Sequence, residues 1–358
     1  MKSLRNVITW TFGLVIVSVV VIAGSFFLFS ILNEYKPAAV EQVALEDVTS
    51  INISSSGKFS LVTWNIGYGG LGKEMDFFYD GGKRVRPDKQ YFELTMTAIA
   101  DILGKFDSLD FILLQEVDKR ANRSYYLDEI DYIKARLPLY CSSFTTNYNC
   151  RFVPVPVTQP MGSVTSGLAT FSKDMPAVVT RNGFDRHFPW PDRLFYMKRC
   201  FMVSRYPLPD GHQLVVINIH NSAFDTGGVL RKREMELIQQ FMVAEYMSGN
   251  FLVAGGDWNA NPPGFDPLHI VTDDPVKKDD FTDLQTFFPG WEFVYDPEYP
   301  TNRDVGEAYR QGVTPVTIID FFLVSPNIKV LEVKTLPTGF EHSDHQPVYL
   351  KIALHPSG

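Results

Sequence analysis

Only three cysteines occur in 358 residues, at Cys141, Cys150 and Cys200. None belongs to a Cys/His cluster with zinc-ligand spacing, which excludes a structural zinc module. Cys141 and Cys150 flank a polar stretch, residues 142–149, read as a short loop. They can form a disulfide if the domain is exported; otherwise all three are buried thiols. Long basic runs are also missing. Lys and Arg total 33 against 41 Asp and Glu, a formal charge of -8. Proteins that grip long nucleic acids usually show a basic face, because phosphate contacts supply most of that affinity. The acidic balance weakens that reading without closing it, since a bound divalent cation can supply positive charge locally. The chain has no internal repeat and no low-complexity tract, which leaves one large domain or two small ones.

One long apolar run is present, and it lies at the N-terminus. Residues 7–32 carry no charge, with Lys2 and Arg5 before them and Glu34 and Lys36 after. About 26 residues of helix span about 39 Å, enough to cross a bilayer core with tilt. The leading positive charges place the N-terminus in the cytoplasm and the rest of the chain outside. A cleaved signal peptide would have a shorter apolar region followed by small residues. Here the far end is Phe26-Phe27-Leu28-Phe29-Ser30-Ile31-Leu32, which is bulky and favours an uncleaved anchor. The expected organisation is a cytoplasmic tip (1–6), a single transmembrane helix (7–32), a linker (33–57) and a folded domain (58–356).

Within 58–356, short β-rich runs end in polar or acidic residues. Phe59-Ser60-Leu61-Val62-Thr63-Trp64 is the first strand, and residues 90–106 have helical apolar spacing. Asp110-Phe111-Ile112-Leu113-Leu114 leads to Gln115-Glu116, residues 213–219 lead to His220, and Phe251-Leu252-Val253-Ala254 leads to Gly255-Gly256-Asp257. Residues 230–247 read as a second helix. Residues 167–172, 199–204, 317–324, 329–335 and 348–354 complete the strands. More strands than helices, with helices interrupting, predicts an α/β fold of two sheets packed face to face with helices outside. Residues 145–160 and 262–280, rich in Pro and polar residues, read as long surface loops.

The polar residues at strand ends form a set: Asn65, Glu116, Asn218 with His220, Asp257 with Asn259, Asp320, and Asp344 with His345. A charged Asp inside Ile318-Ile319-Asp320-Phe321-Phe322 is costly unless paired, so Asp320 needs a histidine or a metal. Phosphoester hydrolysis calls for parts of this kind. A divalent cation offsets charge on the phosphoryl oxygens, a carboxylate or His activates water, and a His held by an Asp binds the anion. Individually each has a plainer reading: Asn65 as a turn residue, Gln115-Glu116 as a solvated strand end, Asp257 and Asn259 as the start of a turn before Pro262-Pro263-Gly264. Arg303, Lys198 and Arg199 can meet a phosphate or be solvated, and His187 can line a pocket from an aromatic loop.

Six motifs in order carry a resemblance. They are Leu61-Val62-Thr63-Trp64-Asn65-Ile66, Leu114-Gln115-Glu116-Val117-Asp118, Val216-Ile217-Asn218-Ile219-His220, Gly255-Gly256-Asp257-Trp258-Asn259, Ile319-Asp320-Phe321-Phe322-Leu323-Val324 and His342-Ser343-Asp344-His345-Gln346-Pro347-Val348. Together they resemble the endonuclease/exonuclease/phosphatase superfamily over residues 59–354. The resemblance implies a four-layer α/β sandwich, in which two mixed β-sheets are flanked by helices, and a divalent metal, usually Mg²⁺, with Mn²⁺ an alternative. It implies Glu116 as the metal carboxylate, assisted by Asn65 and Asp344. Asp257 orients or deprotonates the attacking water. Asn259 and Asn218 donate to the phosphate, His345 binds it, and Asp320 orients His345. His220 contacts the phosphate or acts as an acid. No covalent enzyme intermediate is implied.

The substrate stays open among nucleic acid, a phospholipid or inositol-phosphate headgroup, and a small soluble phosphoester. An anchor would keep the enzyme from chromosomal DNA, which argues against abasic-site repair. Gly67-Tyr68-Gly69-Gly70 and Met75-Asp76-Phe77-Phe78-Tyr79-Asp80-Gly81-Gly82 depart from the well-known branches. A non-catalytic membrane-bound binding module is the alternative class, against which stands the completeness of the catalytic set. The expected partners are the phosphoester substrate and, through residues 7–32, the membrane; no protein partner is predicted.

Overall fold

The structure is a computed structural model that describes residues 2–46, 57–186, 188–223, 225, 227–278 and 284–355. The first element, α1 (Lys2–Leu32), is long and apolar enough over Arg5–Leu32 to cross a membrane. Its middle is exposed, as at Ile8, Trp10 and Ile22, while Ser30 near its end is buried. The segment expected as a linker then contributes two edge strands. β1 (Val40–Gln42) pairs with one sheet and β2 (Leu45–Glu46) with the other, because both sheets offer unpaired edges there. Residues 47–56, part of the expected linker, lie outside the described residues, as does His187.

After these come β3 (Lys58–Asn65), α2 (Lys89–Gly104), β4 (Phe111–Asp118) and α3 (Glu129–Lys134). Then follow β5 (Cys141–Val153), β6 (Gly162–Ser172), β7 (Val178–Gly183), β8 (Cys200–Pro207), β9 (Gln213–His220), α4 (Val229–Met247) and β10 (Phe251–Asp257). The last strands are β11 (Glu292–Val294), β12 (Asn302–Arg303), β13 (Val316–Thr317), β14 (Asp320–Val324), β15 (Ile328–Thr335) and β16 (Val348–Leu354). One sheet runs β15-β16-β3-β4-β6-β5-β2 and the other β1-β7-β8-β9-β10-β14-β11, with β12 and β13 as a separate ribbon. Both sheets are mixed: β3 with β4, and β9 with β10, are the parallel pairs.

The period-two alternation of each strand explains the layering. Phe59, Leu61, Phe111 and Leu113 point between the sheets, where they meet Leu214, Val216, Phe251, Val253, Phe322 and Val324. The intervening residues Val62, Trp64, Ile112 and Leu114 point outward against Phe92, Met96, Ile99 and Leu103 of α2 and Ile130 and Ile133 of α3. On the far side, Val215, Ile217, Leu252 and Ala254 pack on Met235, Ile238 and Met242 of α4. The result is the four-layer order helix, sheet, sheet, helix. Asp88 starts α2 by accepting a hydrogen bond from the Tyr91 N–H at 2.9 Å. The close approach of β9 to β10 depends on Gly256, where a Cβ would lie 1.9 Å from the Ile219 carbonyl oxygen.

Two sequence expectations fail at β5. Residues 145–153 are strand rather than loop, because the polar row pairs with β6 along its length. Cys141 and Cys150 therefore stand nine positions apart on one extended strand, about 30 Å at the usual rise. That distance excludes a disulfide between them, and all three cysteines are free and buried. The Cys141 thiol donates to the Ser172 carbonyl oxygen at 3.1 Å. Reducing agent is accordingly expected to leave the thermal unfolding midpoint unchanged; a drop on adding dithiothreitol would contradict this pairing.

Candidate active site

The inward-facing rows of four strands end in polar residues at the same edge of the inter-sheet core. Phe59-Leu61-Thr63 leads to Asn65, Leu214-Val216-Asn218 to His220, and Phe251-Val253-Gly255 to Asp257. From the opposite direction, Val324 and Phe322 lead back to Asp320. Register holds them level: Asp257 pairs with His220 on β9 and with Asp320 on β14. Ligands of open α/β sheets gather beyond the carboxyl ends of parallel strands, and this edge is such a place.

Glu116 arrives by another route. Alternation would send it outward with Ile112 and Leu114, into the α2–α3 layer. A β-bulge interrupts the β4–β6 register between Leu114 and Val117, and Glu116 takes a φ of 53°. The extra residue turns its side chain back to line the cleft. Holding a non-glycine residue at left-handed φ costs of order 1 kcal/mol or more, a pattern typical of functional positions.

A loop brings in the remaining pair. Ser343 Oγ donates to the Asn65 carbonyl oxygen at 2.8 Å, and Trp64 Nε1 donates to the His345 carbonyl oxygen at 2.9 Å. Gly67, at φ 52°, lets the loop after β3 pass Asp344: a Cβ there would sit 3.0 Å from Asp344 Oδ1. This is one local reason for the glycine-rich stretch after Ile66.

Asp257 is the hub. Its Oδ2 lies 3.0 Å from Asn65 Nδ2, 3.3 Å from His220 Nε2 and 3.7 Å from His345 Nε2. Its Oδ1 accepts from the Asn259 N–H at 2.9 Å. Asn259, itself at φ 49°, uses its side-chain amide on the Asn221 carbonyl oxygen at 2.9 Å. His345 Nδ1 meets Asp320 Oδ2 at 2.8 Å, so the buried Asp320 has a histidine partner. On the other side of that ring, Nε2 lies 3.0 Å from Asn302 Nδ2 and 3.9 Å from Asp344 Oδ2. Glu116 Oε1 is 4.0 Å from His220 Nε2.

The two histidines are driven apart in charge. Burial would lower His345, but the carboxylates of Asp320, Asp344 and Asp257 outweigh it and hold its pKa well above the ordinary range. Burial, with Arg199 and His345 nearby, pushes His220 well below that range. The two rings are thus shifted in opposite directions, and His220 Nδ1 has no partner among the described residues.

The donor set suits a hard divalent cation. Burial raises Glu116 and Asp344, and each is further affected by neighbouring carboxylates, Glu116 by Asp344 and Asp344 by Asp257. Buried carboxylates facing one another are the environment a divalent cation relieves. Asp257, Asp320 and His345 also place ligand atoms within 4.8 Å of one another. Within that trio His345 Nδ1 is already committed to Asp320 Oδ2 at 2.8 Å.

Two expected phosphate contacts spend donors on backbone carbonyls, although Arg303 also lines the cleft. Asn218 lies buried between the sheets, donating to the Leu114 and Ala169 carbonyl oxygens at 3.1 and 3.0 Å and accepting from Gln115 Nε2 at 2.8 Å. Its amide protons are spent on locking sheet to sheet. Arg303 is neither solvated nor directed outward. Its guanidinium donates to the carbonyl oxygens of Leu71, Gly72 and Asp304 at 3.1, 2.8 and 2.9 Å, tying the loop after β3 to β12.

Of the other residues of the cleft, Arg123 and Asn302 carried too little sequence signal to be singled out, whereas Arg199 was named as able to meet a phosphate or be solvated. Arg123 forms a two-bond pair with Asp118, both at 3.0 Å, and lies 3.8 Å over the Tyr68 ring. Arg199 is buried beside Glu116 and Asp257, with one guanidinium nitrogen unpartnered among the described residues. Asn302 reaches His345 only because β12 and the 342–346 loop form a bridge. The cleft has a volume of about 700 Å³. Glu116, Asp257, Asn259, Asp344 and His345 line it, and so do Tyr79, Val155, Phe188, Phe195, Tyr196 and Met197.

Comparison with known proteins agrees with this geometry. The model of the Endonuclease/Exonuclease/phosphatase family matches residues 62–345. Among solved structures, the chain is similar to an endonuclease/exonuclease/phosphatase from Beutenbergia cavernae, with 14% identity, a TM-score of 0.54, and 83% of this chain and 72% of that one covered. A family protein from Leptotrichia buccalis gives 11%, 0.52, 83% and 100%. Humanized D. rerio TDP2 gives 13%, 0.51, 83% and 99%. At these identities the structures speak for the fold. No curated protein matches the chain. The family model covers most of the sequence, including both ends of the cleft, and the chain belongs to the endonuclease/exonuclease/phosphatase family.

Proposed function

We propose that the protein is a divalent-metal-dependent phosphoester hydrolase, anchored by α1 with its N-terminus in the cytoplasm and its catalytic domain outside. The observation that carries the reaction type is the convergence on Asp257 of Asn65, His220 and His345, with Asp320 behind His345. Glu116, with Asp344 and Asn65, would hold Mg²⁺ or Mn²⁺, which when bound supplies positive charge against the phosphoryl oxygens. Asp257 is the acceptor for the proton of the attacking water, and Asn65 and His220 orient it. The His345 imidazolium, fixed by Asp320, faces the phosphate with Asn259 beside it. His220 stands near enough to Asp257 and Glu116 to serve the leaving group.

Retention of α1 is supported by how its end is held. Glu34 pairs with Arg193 at 3.3 Å and with buried Lys198 at 3.4 Å, and Tyr35 Oη donates to the Thr146 carbonyl oxygen at 3.3 Å. The full-length protein in detergent is expected to hydrolyse bis-p-nitrophenyl phosphate with Mg²⁺ or Mn²⁺ and to lose that activity with EDTA, recovering on metal re-addition. Undiminished hydrolysis in EDTA would remove metal dependence from the proposal. A reporter fused after residue 40 that works only in the cytoplasm would reverse the orientation.

A further inference from the structure

One residue that lines the cleft touches the apolar helix. Phe26 of α1 stacks on Phe195, with ring centroids 5.9 Å apart and planes within 5°, and meets Phe152 edge-on at 6.2 Å. Phe195 also lines the cleft. Phe26 is six residues before the helix end, so this contact lies about 9 Å back along the helix from Leu32. Phe152 and Phe195 therefore sit at the depth of the helix's own apolar span.

The segments that carry these two phenylalanines expose further apolar side chains. Val157 is 87% exposed and Trp190 59%, alongside Phe152, Val155 and Tyr196 at about 40% each. Val157 and Trp190 are outside the cleft lining. Exposed apolar side chains on two segments that also line the cleft and touch a membrane-length helix are what an interfacial surface requires. The ion pairs of Glu34 and the pairing of β1 with β7 leave little slack between helix and domain.

Resting on the hydrolase reading above, we propose that the substrate is a lipid phosphoester drawn from the leaflet into which the far end of α1 emerges. The headgroup enters along Phe195, Phe188, Tyr196 and Val155, and the acyl chains stay on the apolar side. The phosphate then meets Asp257 and His345 across the cleft. Water adds to phosphorus, the P–O bond to one alcohol breaks, and the proton taken from water ends on that alcohol. The chain's acidic balance fits this better than a track for a polyanion, whose affinity would need a basic surface.

The test uses the full-length chain reconstituted in vesicles of phosphatidylcholine, phosphatidylglycerol, phosphatidic acid and sphingomyelin in equal parts, with Mg²⁺. Products are followed by phosphorus NMR. Parallel arms offer the chain-free esters glycerophosphocholine and glycerophosphoglycerol, and single- and double-stranded DNA. Bis-p-nitrophenyl phosphate reports catalytic competence. At least one vesicle lipid is expected to turn over ten-fold or more faster than its chain-free ester and than DNA. The double variant Val157→Asp/Trp190→Ser is expected to lower lipid turnover at least ten-fold while the soluble ester stays within two-fold. DNA or the chain-free esters turning over as fast as lipid, or an unaffected double variant, overturns the lipid assignment and leaves the hydrolase reading standing. No hydrolysis of the soluble ester by the wild-type protein overturns both.

Discussion

Replacing Asp257 by alanine is expected to cut hydrolysis of bis-p-nitrophenyl phosphate by roughly 10³-fold, within the range spanned by positioned general bases. The size follows from its place at the hub. Asn65, His220 and His345 all converge on its Oδ2 within 3.7 Å. Truncation removes the proton acceptor and lets both histidines drift. Asp257→Asn keeps the shape and the Asn259 N–H contact but not the charge, so it should lose nearly as much rate with a thermal midpoint close to wild type. That comparison separates chemistry from folding. A rate within ten-fold of wild type for both variants, measured on protein with a native circular dichroism spectrum, would remove Asp257 from the reaction.

The strand ends were legible in the sequence because alternation does two jobs at once. Phe59, Leu61, Leu214, Val216, Phe251 and Val253 mark the inner face, and the same count assigns Asn65, His220 and Asp257 to the rim of that face. Asp320 announced its need for a partner by standing in an apolar strand, and the structure supplies His345 at 2.8 Å. Where the reading failed, non-local pairing decided the outcome. The polar row Ser142-Ser143-Phe144-Thr145-Thr146 looks like loop by composition, yet β6 and β2 pair with it from both sides. The same count that finds Asn65 also puts Asn218 on the inner face, but one residue pair deeper than His220, among backbone carbonyls rather than in the cleft. Arg303 carries a charge that composition assigns to solvent, and only the packing of the loop after β3 reveals its carbonyl partners. The contact of Phe26 with Phe195 joins residues 169 positions apart, for which the sequence holds no signal.

Glu116 illustrates the limit most sharply, and it carries the second large effect. Counted along β4 it belongs to the outer layer; only the bulge and a φ of 53° return it to the cleft. Burial and the Asp344 carboxylate both disfavour its ionised form when no cation is present. Glu116→Ala is therefore expected to lower turnover by orders of magnitude at standard Mg²⁺, with partial recovery at much higher metal. It should also abolish the rise in thermal midpoint that Mg²⁺ gives the wild type, since stabilisation by a ligand follows its affinity for the folded state. Without metal the sign reverses: a carboxylate crowded by Asp344 is removed while the left-handed backbone stays, so the variant should be at least as stable as wild type. Glu116→Gly adds a residue suited to left-handed φ and should be more stable still, by up to about 1 kcal/mol, while equally inactive. A functional carboxylate held at a cost in stability predicts this opposition of activity and midpoint. A Glu116→Ala protein that keeps its Mg²⁺-induced shift would place the cation elsewhere, and one that melts well below the metal-free wild type would make Glu116 a structural residue.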